Sequence, residues 1–176
     1  EDKEEVMIAL SALKTAPGRF EQMHGPDQKM AIVDYAHTPD ALENVLKTIQ
    51  AIRQKHQRII TVVGCGGNRD AGKRPIMATL AAQYSDQVVL TSDNPRFEDP
   101  ELILDQMQAG ISAADESKVI RISDRKHAIV EAIQQLAKSG DIVLVAGKGH
   151  ETYQDIQGVK HDFDDKQVIS DTFSKV

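Results

Sequence analysis

Short aliphatic runs in this chain repeatedly stop at a polar or glycine-rich loop, and a helix-patterned segment follows. Met30–Val33 leads into Asp34-Tyr35-Ala36-His37, after which Thr38 and Pro39 signal a helix start. Ile59–Val63 runs into Gly64–Asp70, and Val88–Leu90 into Thr91-Ser92-Asp93-Asn94-Pro95-Arg96. The weaker run Val119–Ile122 precedes Ser123 and Asp124, either of which can cap a helix. Between these runs, apolar residues recur at helical spacing: Leu42, Val45, Leu46, Ile49 and Ile52, then Ile76, Met77, Leu80, Ala81 and Tyr84 as an inward face. Ile103, Leu104, Met107 and Ile111 form the next such face from Pro100, and Ile129, Ala132, Ile133 and Leu136 the one after. The most continuous run, Ile142–Ala146, ends at Gly147-Lys148-Gly149-His150-Glu151. Strands alternating with helices of this length allow few folds. The pattern predicts an α/β chain, a Rossmann-like doubly wound, mostly parallel sheet flanked by helices. Tyr153–Ile156 and Val159–Phe163, around Gln157-Gly158, predict a C-terminal β-hairpin before a last helix from about Asp165. An amphipathic helix is also expected at residues 2–14, stopped by Pro17-Gly18.

The 176 residues, 40% of them hydrophobic, suffice for one domain with a full core. A formal net charge of -6 disfavours a nucleic-acid or anionic-membrane partner, and without Trp there is no aromatic stacking platform. Cys65 stands alone, which rules out a disulfide within the chain and fits a reducing, cytoplasmic setting. No apolar run is long enough to span a bilayer and no signal peptide is visible. Nothing in the sequence predicts an oligomer. The chain opens on Glu1-Asp2 without an initiator Met, so a piece of a longer protein is expected.

The unusual residues sit where ligands bind open parallel sheets. Asp34 and His37, Gly64–Arg69, Asp93–Arg96 and Gly147–Glu151 each fall just past the C-terminal end of a predicted strand. Arg96 offers a planar five-donor fork suited to a carboxylate, and Asn94 can donate and accept beside it. Glu151 supplies an anion for a substrate ammonium. The alternative for Gly147–Glu151 is a plain turn with Lys148 and His150 solvated; for Asp34 and His37 it is an ordinary helix entry. Gly67–Arg74 nearly spells a phosphate-binding P-loop, but Arg74 stands where Ser or Thr would hold Mg²⁺. Its glycines would instead let the backbone approach a ligand, with Arg69 aimed into the crevice. Cys65 reads as a packed residue rather than a nucleophile. His24, His56, His127 and His161 lack ligand spacing, so no protein-only metal site is expected. Asp162, Asp164 and Asp165 read as a solvated turn.

Taken in order, Pro17–Glu21, Asp34–Asp40, Gly64–Asp70, Asp93–Arg96 and Gly147–Glu151 resemble the motif series of the Mur ligases. The resemblance covers essentially the whole chain, residues 1–176 as a single domain, and corresponds only to the C-terminal domain of that three-domain family. The UDP-binding domain and the central ATPase domain would be absent. It implies an ATP-dependent amide ligase of peptidoglycan synthesis that adds meso-diaminopimelate to UDP-N-acetylmuramoyl-L-alanyl-D-glutamate through an acyl phosphate. ATP and Mg²⁺ would be bound mainly by the central domain, and an isolated C-terminal domain would be inactive. By the same resemblance Arg69, Asn94, Arg96, Gly147 and Glu151 hold meso-diaminopimelate, whereas Arg19, Asp34 and His37 face ATP. No metal ligand and no certain catalytic residue are implied in this domain. Diaminopimelate carries a carboxylate that lysine lacks, so an arginine at position 96 favours the former. A lysine-adding or other Mur-type domain, a stand-alone small-molecule binding module and a self-sufficient P-loop nucleotidase are the competing readings.

Overall fold

The computed structural model describes residues 17–175, so the helix expected at residues 2–14 lies outside the described residues. Among the described residues, six strands form one sheet in the order β1-β2-β6-β3-β4-β5. They are β1 (Glu21–His24), β2 (Met30–Asp34), β3 (Ile59–Cys65), β4 (Gln87–Ser92), β5 (Val119–Arg121) and β6 (Ile142–Ala146). Only β1 runs antiparallel, pairing Glu21 with Val33 and His24 with Met30 at the edge. The remaining neighbours are parallel. The central strands are mainly aliphatic because both of their faces are covered, Thr61 being buried against Ser85. Val, Ile and Leu fill these positions since branched side chains pack well on a pleated surface.

Helices α1 (Pro39–Ile52), α2 (Lys73–Tyr84) and α3 (Pro100–Gln108) follow β2, β3 and β4. They bury one face of the sheet, represented by Ile32, Val63, Leu90 and Leu144. Helix α4 (Arg125–Glu131), its continuation as one π-turn through Leu136, and α5 (Asp165–Phe173) cover the other, over Val33, Val62 and Val145. Alternate residues of each strand thus serve opposite layers. The change of face has a simple cause. From β2 to β5 the chain progresses in one direction along the sheet, then returns to place β6 between β2 and β3. Right-handed crossovers put the helix of a reversed step on the opposite side. Each fully buried Ile or Leu in these layers contributes about 1.5–3 kcal/mol.

The helix starts follow local chemistry. Thr38 Oγ1 accepts from the Ala41 amide with Pro39 at the first helical position, and Asp99 accepts from the Glu101 amide. Asp124, not Ser123, caps α4 by accepting from His127 N at 2.7 Å. Asp164 caps α5 through Lys166 N at 2.8 Å. The expected hairpin is present as β7 (Tyr153–Ile156) and β8 (Val159–Asp162), and Phe163 lies just beyond it. Its turn residues Gln157 and Gly158 both have positive φ, the geometry that matches strand twist in a two-residue connection.

Two expectations are corrected. Ile76 does not face the core: it is 50% exposed, because the buried face of α2 runs through Arg74, Met77, Ala78, Ala81 and Ala82 and leaves Ile76 beside it. Asp165 is not part of a solvated turn. It is fully buried and makes a two-pronged pair with Arg125, Nε to Oδ1 at 2.8 Å and Nη2 to Oδ2 at 2.7 Å. Burial alone would lower the Arg125 pKa, but the Asp165 carboxylate outweighs it and holds the guanidinium charged. The other Arg125 bond runs from Nη2 to the Ala146 carbonyl at 3.1 Å, fixing the end of β6.

Candidate functional site

Four loops leave the C-terminal edge of the sheet after β2, β3, β4 and β6 and enclose a cleft of about 760 Å³. Arg69, Asn94, Arg96, Gly147 and Glu151 all line it, brought together from three of those loops. Arg19, Asp34 and His37 line a second cavity of about 230 Å³. Tyr35 and His37 border both, so the two sets of residues singled out in the sequence occupy adjoining chambers. Tyr153 from the hairpin and Ile76, the residue displaced from the core, add apolar surface to the large cleft.

The loops after β3 and β4 are zipped together. Gly67 N donates to Asn94 O at 2.9 Å, and Arg96 Nη1 donates to Gly67 O at 2.8 Å. A Cβ at Gly67 would lie 1.9 Å from the Pro95 carbonyl oxygen, so only glycine allows this approach. Arg74, which disqualified the P-loop reading, turns inward beneath both loops. It is almost wholly buried and contacts both carboxylate oxygens of Glu98, Gln106 Oε1 and the Gly66 carbonyl. Glu98 in turn accepts from the Asn68 amide, and Asn68 Oδ1 accepts from Phe97 N. The Arg74 guanidinium, then the Asn68 amide, hold the Glu98 carboxyl below its usual range. This arginine clamps the loops and has no part in a metal site.

Arg96 has a left-handed backbone, φ 50°, which costs a non-glycine residue about 1–2 kcal/mol. The hairpin holds it there: Arg96 N donates to Asp155 O and Gln157 N donates to Arg96 O. Its side chain is half-buried along the cleft, and Arg69 is exposed at the mouth.

Below them lies a buried polar cluster. Asn94 Nδ2 donates to Glu151 Oε2 at 2.9 Å. Lys148, with no exposure, donates to Asn94 Oδ1 at 3.0 Å and to Glu151 Oε2 at 3.2 Å, and lies 3.6 Å from Asp93 Oδ1. Of the plain-turn alternative, only exposed His150 fits. The sequence offers no signal for this burial beyond a lysine between two glycines at a strand end. Gly147, φ 117°, turns the chain so that the lysine points under the cleft.

In the smaller chamber Asp34 is already engaged, accepting from Phe20 N and Ala36 N at 2.8 Å each. His37 Nδ1 lies 2.8 Å from the Tyr35 carbonyl, and Lys73 Nζ donates to the His37 carbonyl at 2.6 Å. Arg19 is exposed and brings the chamber a cation, and Tyr35 stacks at a tilt between His37 and His150. Among the described residues no three His, Cys, Asp or Glu side chains converge to hold a metal ion. Cys65 is buried at the end of β3, and desolvation pushes its thiol up to about 12.

A mostly parallel sheet whose C-terminal edge carries cations and a carboxylate in one cleft has the layout of a small-molecule-binding α/β domain. The family model described as Mur ligase, glutamate ligase domain, matches residues 18–149, and the chain belongs to this family. It is 58% identical over 171 residues to the UDP-N-acetylmuramoyl-L-alanyl-D-glutamate--2,6-diaminopimelate ligase of Cytophaga hutchinsonii, covering 97% of this chain and 35% of that protein. The protein of the same name from Bacteroides fragilis is 56% identical, with 98% and 35% covered. A solved structure of a ligase of that name superposes with a TM-score of 0.84 at 43% identity, over 99% of this chain and 35% of that one. Thermotoga maritima folylpolyglutamate synthase, TM-score 0.57 at 21% identity over 83% of this chain and 31% of its own, shares the fold. The chain thus spans about a third of the length of the curated relatives it matches, 35% for the first of them.

Proposed function

We propose that this chain is the amino-acid-binding domain of an ATP-dependent ligase that joins meso-diaminopimelate to UDP-N-acetylmuramoyl-L-alanyl-D-glutamate. One observation carries the reading: Arg96, Asn94 and Glu151, scattered in sequence, face one cleft with opposite charges. Diaminopimelate is a diamino dicarboxylic acid, so each end presents an ammonium and a carboxylate. Arg96 meets the distal carboxylate by charge-assisted bonds, with Asn94 beside it. Glu151 and the Gly147 carbonyl receive the distal ammonium, and Arg69 at the mouth positions a carboxylate. Lysine lacks the distal carboxylate and would leave the guanidinium without a partner.

ATP supplies the activation, turning the D-glutamate carboxylate into an acyl phosphate that the bound amine attacks with release of phosphate. In this domain Arg19 is the cation suited to a nucleotide phosphate, and Asp34 and His37 border the same chamber. That chamber is small and has one guanidinium, so the nucleotide and Mg²⁺ are held mainly by the remaining two thirds of the ligase. The contribution of this domain is orientation, holding amine and acyl phosphate in line.

The test is the intact ligase carrying Arg96→Ala. Losing a charge-assisted contact of about 1.5–3 kcal/mol raises KM for meso-diaminopimelate roughly 10- to 100-fold. KM for ATP should change by less than about threefold, within the spread of a surface substitution. Arg96→Lys should remain poor, because a point charge does not replace the fork. Equal loss for both substrates, or L-lysine used as well as diaminopimelate by the wild type, overturns the proposal.

A further inference from the structure

We infer that Lys148 is a positioning residue, which fixes the Asn94 side-chain amide so that its N–H groups, and not its carbonyl, face the cleft. The inference rests on the proposed function for its substrate, but its geometric core does not. Lys148 has no exposure, so it touches no ligand and acts only through its neighbours. Asn94 Oδ1 accepts from two groups that can only donate, the Lys148 ammonium at 3.0 Å and the Asp155 amide at 3.0 Å. A flipped amide would aim N–H at N–H, so the orientation is locked. Nδ2 gives one hydrogen to Glu151 Oε2 at 2.9 Å, and because Asn94 lines the cleft its second hydrogen is assigned to a ligand there. Glu151 is held from the same side, its Oε2 receiving Lys148 and Asn94 together.

The lysine therefore sets the polarity of the floor. With it, the cleft offers a donor beside Arg96 and a carboxylate beyond, the order that a distal carboxylate and ammonium require. Its placement is secured from three sides. The Lys148 carbonyl accepts from Glu151 N in a tight turn, Asp93 flanks the ammonium at 3.6 Å, and the Tyr153 ring lies 5.4 Å from it. A free lysine in this position would be a desolvated charge, and two hydrogen-bond acceptors and the nearby Asp93 carboxylate compensate for that.

The experiment is a double-mutant cycle in the intact ligase with Lys148→Met and Asn94→Ala. Lys148→Met is expected to raise KM for meso-diaminopimelate at least about tenfold, leaving KM for ATP within about twofold and kcat within about threefold. In the Asn94→Ala background the same change should add less than about twofold, since its target is gone. Full additivity, or a matching rise in KM for ATP, overturns the inference. A second measurement uses the wild-type chain without ligand and serves if Lys148→Met does not fold. Its Asn94 side-chain amide protons should give a resolved nuclear magnetic resonance pair, at least one member exchanging with solvent about 100-fold slower than a free asparagine amide. A pair exchanging at the free rate, or an Asn94 carbonyl turned towards Glu151 instead of Lys148 and the Asp155 amide, shows that no lock exists and refutes it. If the lock is present and the wild-type ligase ignores diaminopimelate, the functional reading fails and the positioning stands.

Discussion

Cys65 closes β3 directly beneath the cleft, where a nucleophile would be well placed, yet burial pushes its thiol up to about 12. Less than about 0.1% of it is thiolate at pH 8, since the thiolate fraction falls tenfold for each pH unit below the pKa. Iodoacetamide should accordingly modify the folded chain at least about 100-fold more slowly than the urea-unfolded chain at that pH, as mass spectrometry would show. Comparable rates would mean that the thiol reaches solvent. The same scale holds what was least legible in the sequence. Arg96, Asn94 and Glu151 could be nominated because each stands past an aliphatic run, where a sheet edge gathers side chains. Lys148, Arg74 and Asp165 could not. Part of what lets them be buried arrives from elsewhere: Asn94 lies 54 residues from Lys148, and Arg125 lies 40 from Asp165. No local pattern records such a partner, so a buried lysine and a solvated one read alike.

Elements were more legible than contacts because strand runs and caps are local. Helix α2 is the instructive failure: its buried stripe runs through Arg74, Met77, Ala78, Ala81 and Ala82, and a charged residue and alanines on that face left the apolar pattern pointing to Ile76 beside it. Asp141 shows how elements are joined at the opposite edge. Its Oδ1 accepts from Arg58 N at 2.9 Å, and its Oδ2 from Lys138 N at 2.8 Å and Arg58 Nη2 at 2.6 Å. One carboxylate thereby ties the entries of β3 and β6 to the turn after α4. Burial would raise its pKa, but the bonds from Lys138 and Arg58 win and hold it below the ordinary value of 3.8. A depressed pKa in the folded chain adds stability above the unfolded value, and that stability is lost as pH falls through the folded one. Asp141→Asn should then lower unfolding free energy at pH 7 by about 1–3 kcal/mol. Below about pH 4 the deficit should shrink as the wild-type carboxylate protonates. Urea titrations at the two pH values read this directly, and an equal deficit at both would refute it.

At the scale of the whole molecule the fold class followed from alternation, but the insertion of β6 between β2 and β3 did not, because strand order depends on which pairings bury most surface. The buried Arg125–Asp165 pair holds that order on one side, joining α4, α5 and the end of β6. Arg125→Met alone should cost about 3–5 kcal/mol by stranding a carboxylate in the core. Arg125→Met with Asp165→Leu should recover most of that in urea unfolding, since neither charge then remains. A double variant no better than the single would argue against the pair. Across the sheet edge from it, Tyr35 and His37 belong to the walls of both chambers. The partition is one short stretch of chain, Tyr35 to His37, so a substitution at either ring alters the walls of both rooms at once.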